Sequence, residues 1–396
     1  MKRTVTILLV GMALAIGMSR SVARAQPQPN SDSAMLAGWL SSLQYTQVGE
    51  SSYGGVRVHD TPGATGVPDG KSYYRVSPYI GNLAVTGLLA SKAPNRLKVA
   101  ERWFGWFFAH LSSKSAPDGV PCEHFYLKDG SGETTCVDPN SPKLCNYNDA
   151  TDSAAATLFR AIAAYLVAGG SPKGLEDAAH RQQVDSLART MLALQQPDGL
   201  FWAKINYREK YLEDNCEVYD GLLALAQIEK ALYHDGAAAV TYLEAARRTR
   251  QGIESQLYSK EGGRWLIAKS KDDSTTKADL KLWSPGMQCQ VWPQLFGVVP
   301  LSDPRSKSAI RSLNEIWDGA GSANGAWWQH PEAVNGGFLN SDVAYAAALA
   351  GDRTRVEGYL AAVKQLKYAS AEVNPKFPWP FAASDAGWLL RIMSLP

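Results

Sequence analysis

Apolar and polar positions along this chain sort into two kinds of segment that take turns. The run CNYNDATDSAAATLFRAIAAYLVA, residues 145–168, joins a short polar turn to a stretch that is apolar on every side. A helix of that kind is buried all round, which predicts an inner helix over Thr151–Leu166. The same design returns in LEDNCEVYDGLLALAQIEKAL from Leu212 and predicts a second over Val218–Leu232. Weaker copies are IGNLAVTGLLA after Tyr79, SPGMQCQVWPQLFGVV after Trp283, FLNSDVAYAAALAG after Gly337 and SDAGWLLRIMSL after Ala383. Between them lie charged segments with helical periodicity and one wet face: Ser33–Gln44, Asn95–Leu111, His180–Gln196, Ala238–Leu257, Asp303–Trp317 and Arg353–Tyr368. In the third of these, an apolar stripe through Val184, Leu187, Met191 and Leu194 predicts an outer helix over His180–Leu194. Strand signals are few and short, SYYRV near Tyr73 and FYLKD near Tyr126.

Amphipathic then buried, six times over, predicts an all-α fold of two concentric layers, with long loops carrying the short strands. Layout and segments such as NDATDSAAATLFRAI and QQPDGLFWA resemble the six-hairpin glycosidase superfamily, the (α/α)6 toroid. The resemblance covers nearly all of residues 26–396, read as a single catalytic domain. It implies a funnel in which a saccharide binds where one set of helix ends meets the loops; the lack of a nucleotide- or metal-binding motif leaves no cofactor implied.

Composition changes that picture in two ways. The first 25 residues have a basic start at Lys2 and Arg3, an apolar run from Val5 to Met18 and an Ala23-Arg24-Ala25 cleavage pattern, so they read as a secretory signal. The mature chain is then expected to be secreted or periplasmic, without stable membrane insertion. Cleavage removes four of the 40 basic residues and none of the 38 acids, so the formal balance moves from +2 to −2. That balance, with no long basic run, excludes a nucleic-acid partner on electrostatic grounds. Five cysteines in an exported chain favour disulfides over metal. Cys122, Cys136 and Cys145 share one polar loop and are expected to supply at least one bridge, while Cys216 and Cys289 either pair or stay buried thiols.

Candidate chemistry gathers at the mouths of the two buried helices. Asp149 and Asp152 repeat at Asp214 and Glu217 with the same i, i+3 spacing, and Glu213 and Asp220 bring the second cluster to four acids in eight residues. Capping is the ordinary reason for such acids: Asp149 and Asp214 stand as N-caps, Asp152 and Glu217 as the acidic partners of a capping box. One helix terminus does not need four acids, however. A helix N-terminus lowers a carboxyl pKa, whereas crowded like charges raise it. Glycoside hydrolysis uses one carboxyl of each kind. The catalytic candidates are therefore Asp149 or Asp152 on one side and Asp214 or Glu217 on the other.

Sugar-binding candidates are the acids and aromatics of the same loops: Tyr147, Trp202, Asp220, Trp283, Trp327, Trp328, His330, Asp342, Trp379 and Asp385. A glycoside hydrolase acting on a poly- or oligosaccharide is the leading expectation. A polysaccharide lyase on the same toroid would use His124, His330 or Tyr147 to move protons, and a glycan-binding or envelope protein would use none of the acids. A terpenoid cyclase ranks below these: QQPDGLFW supplies one copy of its Gln–Trp motif, and Asp272-Asp273 lies in a hydrophilic loop. The chain has no GxGxxG after a strand, no Walker loop, no HExxH and no GxSxG.

Overall fold

The computed structural model describes residues 31–62, 64–65, 70–111, 116, 118–136, 145–317, 341–365 and 381–395. The secretory-signal reading of residues 1–25 therefore lies outside the described residues, as do the candidates Trp327, Trp328, His330 and Trp379.

Helices dominate. The outer ones are α1 (Ser31–Ser42), α3 (Arg96–Ala109), α5 (Ala178–Leu192), α7 (Gly236–Gln256), α9 (Pro304–Trp317) and α11 (Arg353–Gln365). The inner ones are α2 (Pro78–Ala90), α4 (Thr151–Val167), α6 (Leu212–Ala231), α8 (Trp292–Leu295), α10 (Ser341–Leu349) and α12 (Ala383–Met393). Each inner helix packs on the next, α2 on α4, α4 on α6, α6 on α8, α8 on α10 and α10 on α12, and α12 returns to α2. The ring closes, and the fold is an (α/α)6 toroid.

The burial contrast follows the hydrophobic pattern. In α4, 13 residues from Thr151 to Tyr165 are buried, whereas α5 buries only Val184, Leu187, Ala188 and Met191. Small residues let the inner helices approach closely. A Cβ on Gly221 of α6 would lie 2.6 Å from the Ala156 Cα of α4, and one on Gly387 of α12 would lie 2.5 Å from the Leu83 carbonyl oxygen of α2. The fourth inner segment is apolar as expected but broken: Trp283–Val291 winds as irregular turns, Ser284 is extended, and Pro293 sits in the first turn of a four-residue α8. Pro285 and Pro293 remove the backbone donors that a continuous helix needs.

The strands stay in the loops. SYYRV becomes β2 (Ser72–Val76), which pairs antiparallel with β1 (Ala64–Thr65) and with β3 (His124–Tyr126), Tyr74 opposite Tyr126. A second small sheet orders β4 (Glu209–Tyr211), β7 (Ala268–Ser270) and β8 (Thr275–Thr276), and β5 (Tyr258–Ser259) pairs with β6 (Arg264–Trp265). Cys136 and Cys145 form the expected bridge; Cys122, Cys216 and Cys289 are buried free thiols. Among the described residues no helix is long and apolar enough to cross a membrane.

Candidate active site

The acid clusters meet at the adjoining starts of α4 and α6. Neither helix is capped as expected. The N-cap of α4 is Ala150 and that of α6 is Tyr211, and neither uses a side chain. Backbone supplies the missing partners: the Thr151 N–H donates to the Ala203 carbonyl at 2.8 Å, and the Leu212 N–H to that of Ile267 at 2.9 Å. The first donor of each helix is thus met by backbone rather than by an N-cap carboxylate, although Asp152 meets the Ser153 N–H of the first turn of α4, so Asp149 and Asp214 are not held as N-caps. Asn215 fixes the turn above them. Its Oδ1 accepts from the Phe201 N–H at 2.7 Å and its amide donates to the Tyr211 carbonyl at 2.7 Å. That turn carries Trp202, Ala203 and Lys204 across the mouths of both helices.

A pocket of about 440 Å³ opens there, lined by Tyr147, Asp149, Lys204, Tyr207, Tyr211, Glu213 and Asp214 among others. Asp149 is exposed and accepts from the Tyr147 hydroxyl at 2.9 Å. Tyr147 and Tyr207 are 37% and 48% exposed, so two aromatic rings are partly open beside carboxylates, Tyr207 stacked on Tyr211. Lys204 lies 4.7 Å above the Tyr147 ring and donates to the Asn148 carbonyl.

Asp152 and Glu217 lie beneath this pocket rather than in it, both fully or almost fully buried. Asp152 Oδ1 accepts from the Ser153 N–H at 2.8 Å and Glu217 Oε1 from the Tyr79 hydroxyl at 2.7 Å. The second oxygen of each has no hydrogen-bond partner. The Ser153 hydroxyl is near enough to Asp214 and Glu217 to favour their anions, although it makes no aligned hydrogen bond to either.

Burial and crowding overrule the helix dipole here. Asp214 is pushed up to about 7, by burial first and by the Asp149 charge second. Glu217 rises to about 8 through burial, against the Tyr79 hydrogen bond and with the Asp214 charge. Asp152 and Glu213 are also raised well above the carboxylate range, burial again leading, then Asp214 for the first and Glu217 for the second. Of the two opposing effects expected at these helix starts, crowding with burial outweighs a dipole worth ~0.3–1 kcal/mol at a surface for Asp152, Glu213, Asp214 and Glu217.

The other candidates fall in different places. Trp283 is buried edge-on against Trp317 at 4.9 Å and belongs to the core. Trp202 is half-buried, with Arg208 stacked 4.8 Å over its ring. Asp220 pairs with Arg160 at 3.3 Å, a turn further down the barrel. Asp342 accepts from Gln288 at 2.8 Å and its charge helps to raise Glu213. Asp385 accepts from the Ser341 hydroxyl at 2.7 Å and the Ala382 N–H at 3.2 Å, so it holds the start of α12, and burial lifts it to about 6. His124 is fully buried in a separate cluster. Sequence reasoning missed Tyr79, Lys204, Tyr207 and Tyr211.

Two expected results follow from these contacts. Tyr79→Phe leaves both oxygens of buried Glu217 without a hydrogen bond, at a cost of about 1–3 kcal/mol in denaturant unfolding; unchanged stability would show that Tyr79 does not hold Glu217. The second concerns pH. Glu217 goes from 4.5 to about 8 and Asp214 from 3.8 to about 7 on folding, so the folded state binds more protons than the unfolded chain. Their contribution is full at acid pH and is lost as pH rises through the folded values, with a slope of at most about 1.4 kcal/mol per pH unit per group. Melting temperature should fall from pH 5 to 8, and less steeply in Glu217→Gln; parallel curves would contradict the raised value.

The (α/α)6 fold is shared with solved structures of glycosidases. The chain matches no known family and no curated protein. Among solved structures it is similar to a wild-type glycosidase, at 16% identity and a TM-score of 0.57 over 92% of this chain and 98% of that one. It is also similar to an α-amylase from Clostridium perfringens, at 11% identity and 0.56 over 91% and 97%. An inactive variant of an α-1,6-mannanase of Salegentibacter sp., in complex with an α-1,6-linked mannotetraose, matches at 11% and 0.51 over 91% and 96%.

Proposed function

We propose that this chain is an exported glycoside hydrolase that cleaves a poly- or oligosaccharide by carboxylate acid–base catalysis, with residues 26–396 as its one catalytic domain. The observation that carries the proposal is the pairing of Asp149 and Asp214 across one tyrosine-lined pocket, with Asp214 held at about 7. A carboxyl with that value keeps its proton near neutrality and can still give it up, which is what protonating a leaving sugar oxygen requires. Asp149, from the turn that leads into α4, is the partner that attacks, activates water or stabilises the positive charge developing on the ring. Glu217 and Asp152, buried and raised, lie beneath the pocket, with Glu217 tied to Tyr79 of α2.

Tyr147 and Tyr207 supply flat apolar faces for a pyranose, and the surrounding hydroxyls and carboxylates its polar edge. Shared architecture with proteins named glycosidase, α-amylase and α-1,6-mannanase adds support at the level of fold. The Cys136–Cys145 bridge is in keeping with an oxidising compartment. The lyase alternative has less to draw on, since His124 is buried away from solvent while Tyr147 is already committed to Asp149. The test is a screen of the purified mature chain against α- and β-linked oligosaccharides. Release of new reducing ends supports hydrolysis. Unsaturated products absorbing in the ultraviolet mean a lyase, and binding without cleavage means a glycan-binding protein.

A further inference from the structure

A second polar cluster lies at the β2–β3 strand pair and takes no part in the site above. It joins His110, the residue that ends α3, His124 on β3, Tyr126 two residues on, and Glu133 in the following loop. His110 Nε2, His124 Nδ1 and a Glu133 carboxylate oxygen all lie within 4.8 Å of one another.

We propose that His110, His124 and Glu133, with the Tyr126 oxygen as fourth ligand, bind a divalent transition-metal ion of the zinc type. The geometry argues for a sphere. A tetrahedral ion with ligand bonds of ~2.0–2.1 Å has ligand–ligand edges of about 3.3–3.4 Å. Glu133 Oε1 is 2.8 Å from His124 Nδ1 and 3.5 Å from His110 Nε2. The Tyr126 oxygen is 3.1 Å from His110 Nε2, 3.5 Å from His124 Nδ1 and 3.4 Å from Glu133 Oε1. Five of the six edges thus scatter around the tetrahedral value, and the sixth, between the two imidazole nitrogens, is within 4.8 Å. Hydrogen bonds can also satisfy these atoms, and the phenol oxygen, which receives the Trp106 indole N–H at 3.3 Å, keeps a second lone pair for an ion.

The outer contacts suit metal binding. His110 Nδ1 donates to the Trp106 carbonyl at 2.7 Å, which leaves the Nε2 lone pair facing the cluster. His124 Nε2 faces Cys122 Sγ at 3.8 Å, so its proton can sit there and leave Nδ1 free. Two imidazoles select against Ca2+ and Mg2+, which prefer oxygen alone. Four protein atoms close the sphere, so the site is structural rather than catalytic. Glu133, whose side chain is 33% exposed, gives the ion its way in. The ion would tie the end of α3 to β3 and its following loop. Glu123, next to His124, donates its N–H to the Tyr147 carbonyl at 2.7 Å, so the tether reaches the wall of the pocket.

The experiment uses the full mature chain, stripped with a chelator and titrated with Zn2+ by calorimetry and with Co2+ by visible absorption. The expected result is one equivalent per chain, the intense visible bands of four-coordinate Co2+, and a melting temperature that rises with Zn2+. Glu133→Gln keeps the size of the side chain and removes its charge. It should weaken Zn2+ binding by at least the ~10–100-fold that even an outer-shell change costs. No stoichiometric uptake and no change in melting would mean a hydrogen-bonded cluster only and overturn the proposal. So would Zn2+ affinity that is undiminished in Glu133→Gln, or a Co2+ spectrum of six-coordinate type. None of these readouts depends on glycan cleavage, so the metal proposal and the hydrolase reading can fail separately.

Discussion

Asp214→Asn is expected to lower turnover by ~100-fold or more on any oligosaccharide the parent chain cleaves, the scale of general acid–base catalysis. Its melting temperature should hold or rise slightly. Both halves follow from placement. Asp214 stands in the first turn of α6 behind an N-cap, Tyr211, that uses no side chain, so the helix does not depend on it for capping. It borders the pocket and is raised to about 7 by burial and by Asp149. The amide keeps the shape, cannot exchange the proton and removes one of several crowded negative charges, a change that active sites often reward with stability. Asp149→Asn gives the companion result. Activity falls comparably, and the residual pH profile moves its upper limb to lower pH, because the charge that lifts Asp214 has gone. Near-wild-type turnover in both variants would remove this pocket as the active site.

Gly387→Val should be among the most damaging single changes in the protein. A Cβ at Gly387 would collide with the Leu83 carbonyl oxygen and with Ala84 Cα at 3.0 Å, and Gly87 of α2 faces Gly387 across the same crossing. Backbone cannot give way as a side-chain tip can, so the helices must part. Overpacking of this kind costs about 1–3 kcal/mol and sometimes more, here at the contact that closes the ring. Gly105 of α3 is the control: it is exposed and a Cβ there meets nothing within 4 Å, so Gly105→Ala should be neutral or stabilising by up to about 1 kcal/mol. Matching melting curves for Gly387→Val and the parent would mean that α2 and α12 do not touch in solution.

How much of this was legible in the chain depended on how local the signal was. The inner helices α4 and α6 could be read because alanine and leucine on every face allow no wet side. The outer α5 could be read from its single stripe. The break in the fourth inner segment was written in Pro285 and Pro293, yet an apolar run read without its prolines still looks like a helix. The repeated Asp-x-x-acid spacing pointed to the helix mouths where a pocket opens, but not to which acids line it. That choice turns on α6 beginning at Leu212 rather than Val218, and the earlier start depends on β4 pairing with β7, whose residues lie about 60 positions away. Tyr79 and the His110–His124–Glu133 group left no local trace. Their meaning comes only when a helix, a strand and a loop distant in the chain are brought together.

The α2–α12 crossing also has a consequence for how the protein is made. Leu83 and Gly387 meet across roughly three-quarters of the sequence, so the ring stays an open arc until its C-terminal helix has emerged. Until then the flanks of α2 and α10 that α12 covers are exposed apolar surface, the kind of surface on which large chains aggregate or engage chaperones. A chain crossing a membrane before folding would meet this problem on the far side. For such a chain the last inner helix would be the keystone that covers α2 and α10.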